Sequence, residues 1–231
     1  MNIFVLTGAG VSAESGLGTF RDTSGLWTRF DPAKLATPEA FKRDPAQVNA
    51  FYDARRANLR GAQPNAAHFA LADLQRRLAE TGGRLFLCTQ NIDDLHERAG
   101  AQHVVHMHGE LFKARCPGCE AVVDWRDDLS GARCADCGGG LRPHVVWFGE
   151  TPLEMDAIYD ALEEADLFVA IGTSGSVYPA AGFVSEARRA GIRTCEINLD
   201  PSDNARAFDE RRYGVASEMV PAWVEDVLGG R

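Results

Sequence analysis

The sequence predicts an α/β fold: a mainly parallel sheet with helices on both faces, carrying a smaller appendage. Two observations predict it. Short apolar, strand-like runs alternate with helix-length amphipathic segments, the pattern of strands buried on both faces by crossover helices. Two stretches, 31–61 and 111–145, break that alternation. The first is helical and punctuated by Pro32, Pro38 and Pro45; the second carries cysteines among Gly, Pro and short β runs. Both read as insertions that pack together as a small second domain over the sheet's edge. The main domain is then discontinuous, formed by 1–30, 62–110 and 146–231.

In chain order, strands are expected at Ile3–Leu6, Arg84–Cys88, His103–His106, Leu167–Ile171 and Arg193–Asn198. Helices are expected at Pro45–Arg60, Asn65–Ala79, Glu154–Glu164, Ala180–Ala190 and Glu218–Leu228. A chain of 231 residues with 45% apolar and 25% charged residues can bury a sizeable core. No apolar run approaches the roughly 18 residues a membrane span needs. Met1 to Leu6 enters the fold at once with no basic n-region, so no export signal is read and a cytoplasmic location is expected. A net charge of −9 opposes wrapping nucleic acid, which needs a basic patch. The expected molecule is a monomer with no nucleic-acid or membrane partner.

Six cysteines divide into two Cys-x-x-Cys knuckles and two singles. Cys116/Cys119 and Cys134/Cys137, with fourteen residues between the knuckles, resemble a zinc ribbon. Four thiolates close a tetrahedron and leave no open position, so the expected zinc is structural. Disulfides are the alternative, disfavoured without an export signal. Cys88 and Cys195, at the ends of apolar runs, read as buried small hydrophobes.

The remaining chemistry gathers where strands are expected to end, the edge at which open α/β sheets bind ligands. Gly8-Ala9-Gly10-Val11-Ser12-Ala13 follows the first strand and satisfies G-x-G-x-x-A, a common turn and a weak sign of nucleotide binding by itself. The segment after it is rich in Gly and Ser yet carries Phe20, Arg21 and Trp27, a make-up suited to a mobile cover over a cofactor. Leu85–Cys88 breaks into Thr89-Gln90-Asn91-Ile92-Asp93. Gly172-Thr173-Ser174 and Asn198-Leu199-Asp200 follow later strands and could meet phosphate or ribose. Of the histidines, His106 and His108 are two apart and share a face of a strand, so alternation cannot choose between them. His68 and His96 read as packed or capped, His103 as surface, and His144 as a fifth zinc candidate.

The ordered set GAGVSAESG, TFR, TQNID-x-LH, HMHGE, two C-x-x-C knuckles, VVWFGE, GTS and NLD resembles the sirtuins, NAD-dependent protein-lysine deacylases, over nearly the whole chain. The resemblance implies a Rossmann-like domain and a small helical-plus-zinc domain, with NAD and acyl-lysine meeting in the cleft between them. It picks His108 as general base, with Asn91 beside it. It implies a nicotinamide and ribose pocket at Gln90, Asn91, Ile92 and Asp93, and a cofactor loop at Gly8, Ala9, Gly10, Glu14, Thr19, Phe20, Arg21 and Trp27. An adenosine end is implied at Gly172, Thr173, Ser174, Asn198, Leu199, Asp200 and Ala216. The implied products are nicotinamide, free lysine and 2′-O-acyl-ADP-ribose. Gly18, Asp22 and Asp200 depart from the common Pro, Gly or Ala, and Glu.

Tyr52 and Arg55, three apart on the Pro45–Arg60 helix, share a side. This Y-x-x-R pair resembles the acid-reading pair of class III sirtuins, which remove succinyl, malonyl or glutaryl groups; an amphipathic helix with a packed Tyr and a solvated Arg is the plainer alternative. Val146, Trp147, Phe148 and Gly149 look like a strand that pairs with an extended acyl-lysine peptide. A mono-ADP-ribosyltransferase and a non-turning-over NAD or zinc-ribbon binding protein are the rival readings.

Overall fold

The computed structural model of the protein describes residues 1–18 and 35–230. Six strands form one parallel sheet: β1 (Asn2–Thr7), β2 (Arg84–Thr89), β3 (Val105–His106), β7 (Leu167–Ile171), β8 (Arg193–Asn198) and β9 (Glu210–Tyr213). Their spatial order is β3-β2-β1-β7-β8-β9. The chain therefore runs outward from β1 in one direction and later restarts beside β1 in the other. This order reversal opens a crevice between the carboxyl ends of β1 and β7.

Both faces of the sheet are covered because its central strands are apolar on both sides: all five residues of β7 are buried. On one face, Leu71, Leu74 and Leu78 of α3 (Ala66–Glu80) meet Val220, Trp223 and Val224 of α7 (Ala216–Leu228) over Ile3, Val5 and Val169. On the other, Ile158 and Leu162 of α5 (Met155–Glu163) join Phe183 and Val184 of α6 (Phe183–Arg189) over Phe4 and Phe168. Cys88 and Cys195 are packed inside the sheet, where burial pushes both thiols up, Cys195 to about 12.

A second, antiparallel sheet has the order β5-β4-β6: β5 (Val122–Asp124), β4 (Gly109–Arg115) and β6 (Arg142–Val145). The helices α1 (Pro38–Arg43) and α2 (Pro45–Gly61) pack against it. Val48, Phe51, Tyr52 and Leu59 share one apolar cluster with Leu111, Phe112, Val145 and Trp147. Thr37 and Asp44 cap the two helices, and the buried Arg56 of α2 donates to the Leu111 carbonyl at 2.9 Å. The helical and the cysteine-bearing insertions thus meet through shared side chains.

The structure corrects several expectations. Strand β9 breaks no apolar pattern because it is an edge strand with only half-buried and exposed positions, and so went unread. The third strand shrinks to Val105–His106, since His103 takes a left-handed conformation at φ 53°. The expected Ala180–Ala190 helix is a 3₁₀ turn over Ala180–Gly182 followed by α6. Residues 146–150 are a turn, not a strand. The amides of Val146, Trp147, Phe148 and Glu150 are taken by the His108 carbonyl, the Glu150 carboxylate, the Ala36 carbonyl and the Trp147 carbonyl.

Gly8, Gly10 and Gly172 have a packing role that the G-x-G-x-x-A pattern did not announce. The turn after β1 lies directly on the turn after β7: Gly10 N–H donates to the Gly172 carbonyl at 2.9 Å. A Cβ on Gly172, whose φ is +63°, would stand 2.5 Å from the Val11 nitrogen. These glycines let two strand ends meet at the crevice, independently of any ligand. Gly172→Ala should therefore cost about 2 kcal/mol or more in urea unfolding, combining left-handed strain with a backbone clash. Gly191→Ala, also left-handed but facing open space, should cost only about 1 kcal/mol; equal losses would remove the close approach as the cause.

Candidate active site

The residues singled out at strand ends converge on the crevice. Thr7, at the end of β1, pairs in register with Thr89 of β2 and with Ile171 of β7, so the segments that follow emerge side by side. Behind them lies a buried polar network. Asn65 N–H donates to His68 Nδ1 at 3.2 Å, which leaves the His68 Nε2–H to face Ser12 Oγ at 3.3 Å. Ser12 donates onward to Asp93 Oδ2 at 3.1 Å and accepts from Asn91 Nδ2 at 3.2 Å. Asn91 Nδ2 also reaches the Gly8 carbonyl at 3.2 Å, tying the second strand end to the first turn.

A parallel chain runs beside it. Thr7 donates to Thr89 Oγ1 at 2.9 Å and therefore accepts from His96 Nε2 at 3.0 Å; Thr89 Oγ1 in turn accepts the Asn91 amide at 3.0 Å. Burial holds both ring systems neutral: His68 is lowered to about 4 and His96 well below its ordinary value. The expected packed or capped roles of His68 and His96 match this, and His103 is exposed as expected. Burial raises Asp93, against the Leu95 amide and the Ser12 hydroxyl, which favour its carboxylate.

His106 and His108, inseparable by alternation, occupy different settings. His106 closes β3 and pairs with Glu97 at 2.7 Å, its other nitrogen lying 3.3 Å from the Asn91 carbonyl; despite burial, these partners raise it. His108 sits in the turn between the two sheets. Its Nδ1 donates to the Gln90 carbonyl at 3.0 Å, which makes Nε2 the unprotonated nitrogen, and burial lowers its pKa. Gly109 fixes this turn. It has φ +79°, and a Cβ there would stand 2.2 Å from the His144 carbonyl, so no other residue lets His108 pass so close to β6. The backbone of Val146 locks the turn from the other side by donating to the His108 carbonyl at 2.9 Å.

Tyr52 and Arg55 do share a side of α2. The Arg55 guanidinium carbon lies 5.7 Å from the Tyr52 ring centre and 5.8 Å from that of Phe51. Burial lowers Arg55, while Tyr52 and Asp93 act on it in the opposite sense. Tyr52 is almost fully buried, and its hydroxyl accepts from Trp147 Nε1 at 2.9 Å. Phe148 and Gly149 are exposed beside it.

At the far side of the crevice, Asn198 Nδ2 donates to the Thr173 carbonyl at 2.7 Å, and Ser174 Oγ lies 2.7 Å from Ser176 Oγ. Leu199 and Asp200 are exposed. A shallow pocket lined by Gln90, Thr173, Gly175, Val177, Ala181 and Asn204 joins these turns to the Gln90 segment. Glu14 has a structural occupation: its two carboxylate oxygens accept from Ser217 N–H at 2.9 Å and Ser217 Oγ at 2.7 Å, capping the helix that starts at Ala216. Thr19, Phe20, Arg21 and Trp27 lie outside the described residues. The reading from sequence missed Ser12, His68, Thr7 and Thr89 as site residues. Ser12 lay within the glycine motif, but nothing in its spacing marks it as the point where His68, Asn91 and Asp93 meet.

The four knuckle cysteines come together, with all four sulfurs within 4.8 Å of one another. Cys116 and Cys137 sulfurs are 3.4 Å apart and Cys119 and Cys134 sulfurs 3.5 Å. Those separations are far too long for a disulfide, at about 2.05 Å, and close to the roughly 3.8 Å edge of a tetrahedron with zinc–sulfur bonds of about 2.3 Å. The amides of Cys119 and Gly118 point at the Cys116 sulfur and favour its thiolate, the form a metal takes. The donor set fits one structural zinc ion. His144 is not among the clustered ligands.

A sequence model of the Sir2 family matches residues 8–179. The chain is 66% identical over 233 aligned residues to a protein of Caulobacter vibrioides named NAD-dependent protein deacylase, covering 99% of this chain and 97% of that one. It is 54% identical to an NAD-dependent protein deacylase of Leishmania major, covering 98% and 95%. A solved Sir2 homologue–NAD complex is 40% identical and superposes with a TM-score of 0.88 over 99% of this chain and 90% of the other. The chain belongs to the Sir2 family. Chelation with a thiol-reactive release step should free one zinc per chain, read with a metallochromic dye. Hydrogen exchange should then rise in β4–β6 before it rises in the six-stranded sheet. Cysteines that label fully without metal release would refute the site.

Proposed function

We propose that this protein is an NAD-dependent protein-lysine deacylase that removes acidic acyl groups, succinyl and malonyl, as well as acetyl. Its products in this reading are nicotinamide, free lysine and 2′-O-acyl-ADP-ribose. Membership of the Sir2 family and the names of its relatives support the deacylase class. The observation that supports the acyl preference is the Arg55 guanidinium lying 5.7 Å from the Tyr52 ring centre on one side of α2, a cation and a phenol within reach of one ligand.

NAD fits the crevice by the chemistry of its lining: amide, carboxylate and hydroxyl groups at one sheet edge, with close-packed glycine turns between them. When bound, NAD supplies the activated ribose–nicotinamide bond whose breaking drives the reaction. Gln90, Asn91, Ile92 and Asp93 hold the nicotinamide and ribose end, while Thr173, Ser174, Asn198, Leu199 and Asp200 hold the adenosine end. The turn at Gly8, Ala9 and Gly10 faces the phosphates. Asn91 and Asp93 are kept in place by Ser12, so neither has to reorganise as charge develops.

His108 is the general base. With Nδ1–H committed to the Gln90 carbonyl, Nε2 can take a ribose hydroxyl proton near neutrality. The acylated lysine enters as an extended peptide along residues 146–149. Because the amides of Val146, Trp147 and Phe148 are occupied internally, carbonyl oxygens of that turn receive the peptide's N–H groups. A distal carboxylate on the acyl chain then meets Arg55 and Tyr52. The zinc module takes no part in the chemistry.

Two tests follow from these roles. Burial depresses His108, and the deprotonated ring is the active form. The acid limb of kcat/KM for deacylation should therefore lie below the ordinary histidine value of about 6.5, and His108→Tyr should abolish turnover while the fold survives. An acid limb well above that value, or an active His108→Tyr enzyme, would move the base elsewhere. Nicotinamide release from acetyl- and succinyl-lysine peptides, compared side by side, tests the preference. Arg55→Met should lower succinyl turnover on the order of ten- to a hundredfold more than acetyl turnover, as loss of a charged hydrogen bond requires. Equal losses would reduce the helix pair to a structural role.

A further inference from the structure

We infer that Trp147 is a specificity-positioning residue: its indole N–H fixes the direction of the Tyr52 hydroxyl proton, and a buried Arg142–Glu150 pair holds the indole in place. The inference rests on the reading of Tyr52 and Arg55 as the acyl-carboxylate site. An indole nitrogen can donate but cannot accept. At 2.9 Å from Trp147 Nε1, the Tyr52 oxygen must therefore be the acceptor. One lone-pair direction is then filled, and the phenolic proton is turned away from Trp147. A carboxylate, which only accepts, is the ligand that matches a buried donor beside a guanidinium.

Trp147 is itself held on several sides. It is 2% exposed. The Arg142 guanidinium carbon lies 3.3 Å from its ring centre, and the Phe41 ring centre is 5.2 Å away. Arg142, 5% exposed, binds both oxygens of Glu150 at 2.7 and 3.0 Å. Glu150 in turn accepts the Trp147 backbone amide at 2.8 Å. One carboxylate thus fixes both the backbone of Trp147 and the cation stacked on its ring. Burial opposes the Glu150 charge, yet Arg142 and the Trp147 amide keep its pKa low. The pair stays ionised and the indole stays oriented.

The test is a double-mutant cycle on the ratio of kcat/KM for succinyl- over acetyl-lysine peptide, read as nicotinamide release. Both substrates report on the same folded molecules, so partial unfolding cancels in the ratio. Trp147→Phe keeps an aromatic ring and removes the donor. It should lower the ratio by roughly three- to tenfold, the worth of one hydrogen bond, and leave it unchanged when introduced into Tyr52→Phe. A similar fall in both backgrounds would mean that Trp147 does not act through Tyr52. No fall in the native background, with Tyr52→Phe alone lowering the ratio, would also overturn the inference while sparing the acyl reading. A ratio untouched by Tyr52→Phe would instead sink the acyl reading, and the role of Trp147 with it.

Discussion

Two sheets of different kind have to meet at a single turn, and the rest of the site depends on that turn. β3 ends the parallel sheet at His106, β4 begins the antiparallel sheet at Gly109, and only Met107 and His108 lie between. A residue so placed belongs to neither sheet's ladder and faces the gap between them. The left-handed glycine and the amide of Val146 remove the freedom that such a junction would otherwise keep. His108 is thereby presented rigidly, its tautomer set by a backbone carbonyl of the neighbouring strand end. Placing an imidazole by backbone rather than by side-chain packing leaves its outer nitrogen without a hydrogen-bond partner among the described residues.

The polar interior behind the crevice follows a similar economy. Buried polar groups stay affordable only when each has a partner. Here Ser12 and Thr89 act as junctions, each accepting twice through one oxygen. Capping a helix with a histidine ring also sets that ring's tautomer, so the start of α3 and the orientation of Ser12 are one arrangement. Two neutral histidines contribute donors without adding charge next to Asp93. His106, by contrast, is raised by its pairing with Glu97 at 2.7 Å.

The two insertions have a common physical purpose in the structure. Neither α2 nor the β4–β6 sheet has enough apolar surface of its own, and each completes its core with side chains from the other. Two of the cysteines, Cys116 and Cys134, belong to a separate small core with Ala114, Leu129 and Leu141. Asp53 carries the connection inward: its carboxylate accepts from both Arg56 and the Leu129 amide. The helix bearing Tyr52 and Arg55 is therefore registered against the cysteine module on one side and against Trp147 on the other.

Much of this was legible in the sequence because it is periodic or local. Alternating apolar runs fix β1, β2, β7 and β8 almost to the residue, and the Cys-x-x-Cys spacing fixes which four sulfurs can meet. Strand ends announce Gln90, Asn91, Asp93, Thr173 and Asn198, since polar residues that interrupt an apolar strand must face an edge. What spacing could not decide was direction and partnership. His106 and His108 are equivalent by alternation; a break between two sheets separates them. Glu14 reads as part of a cofactor loop until the helix at Ala216 arrives from 200 residues away to take its oxygens. Residues 146–150 look like a strand because their side chains are bulky, yet Glu150 and Ala36 claim their amides. Local propensity fixes which groups are available, whereas hydrogen bonds between distant segments fix which way each one points, and only the folded chain contains those.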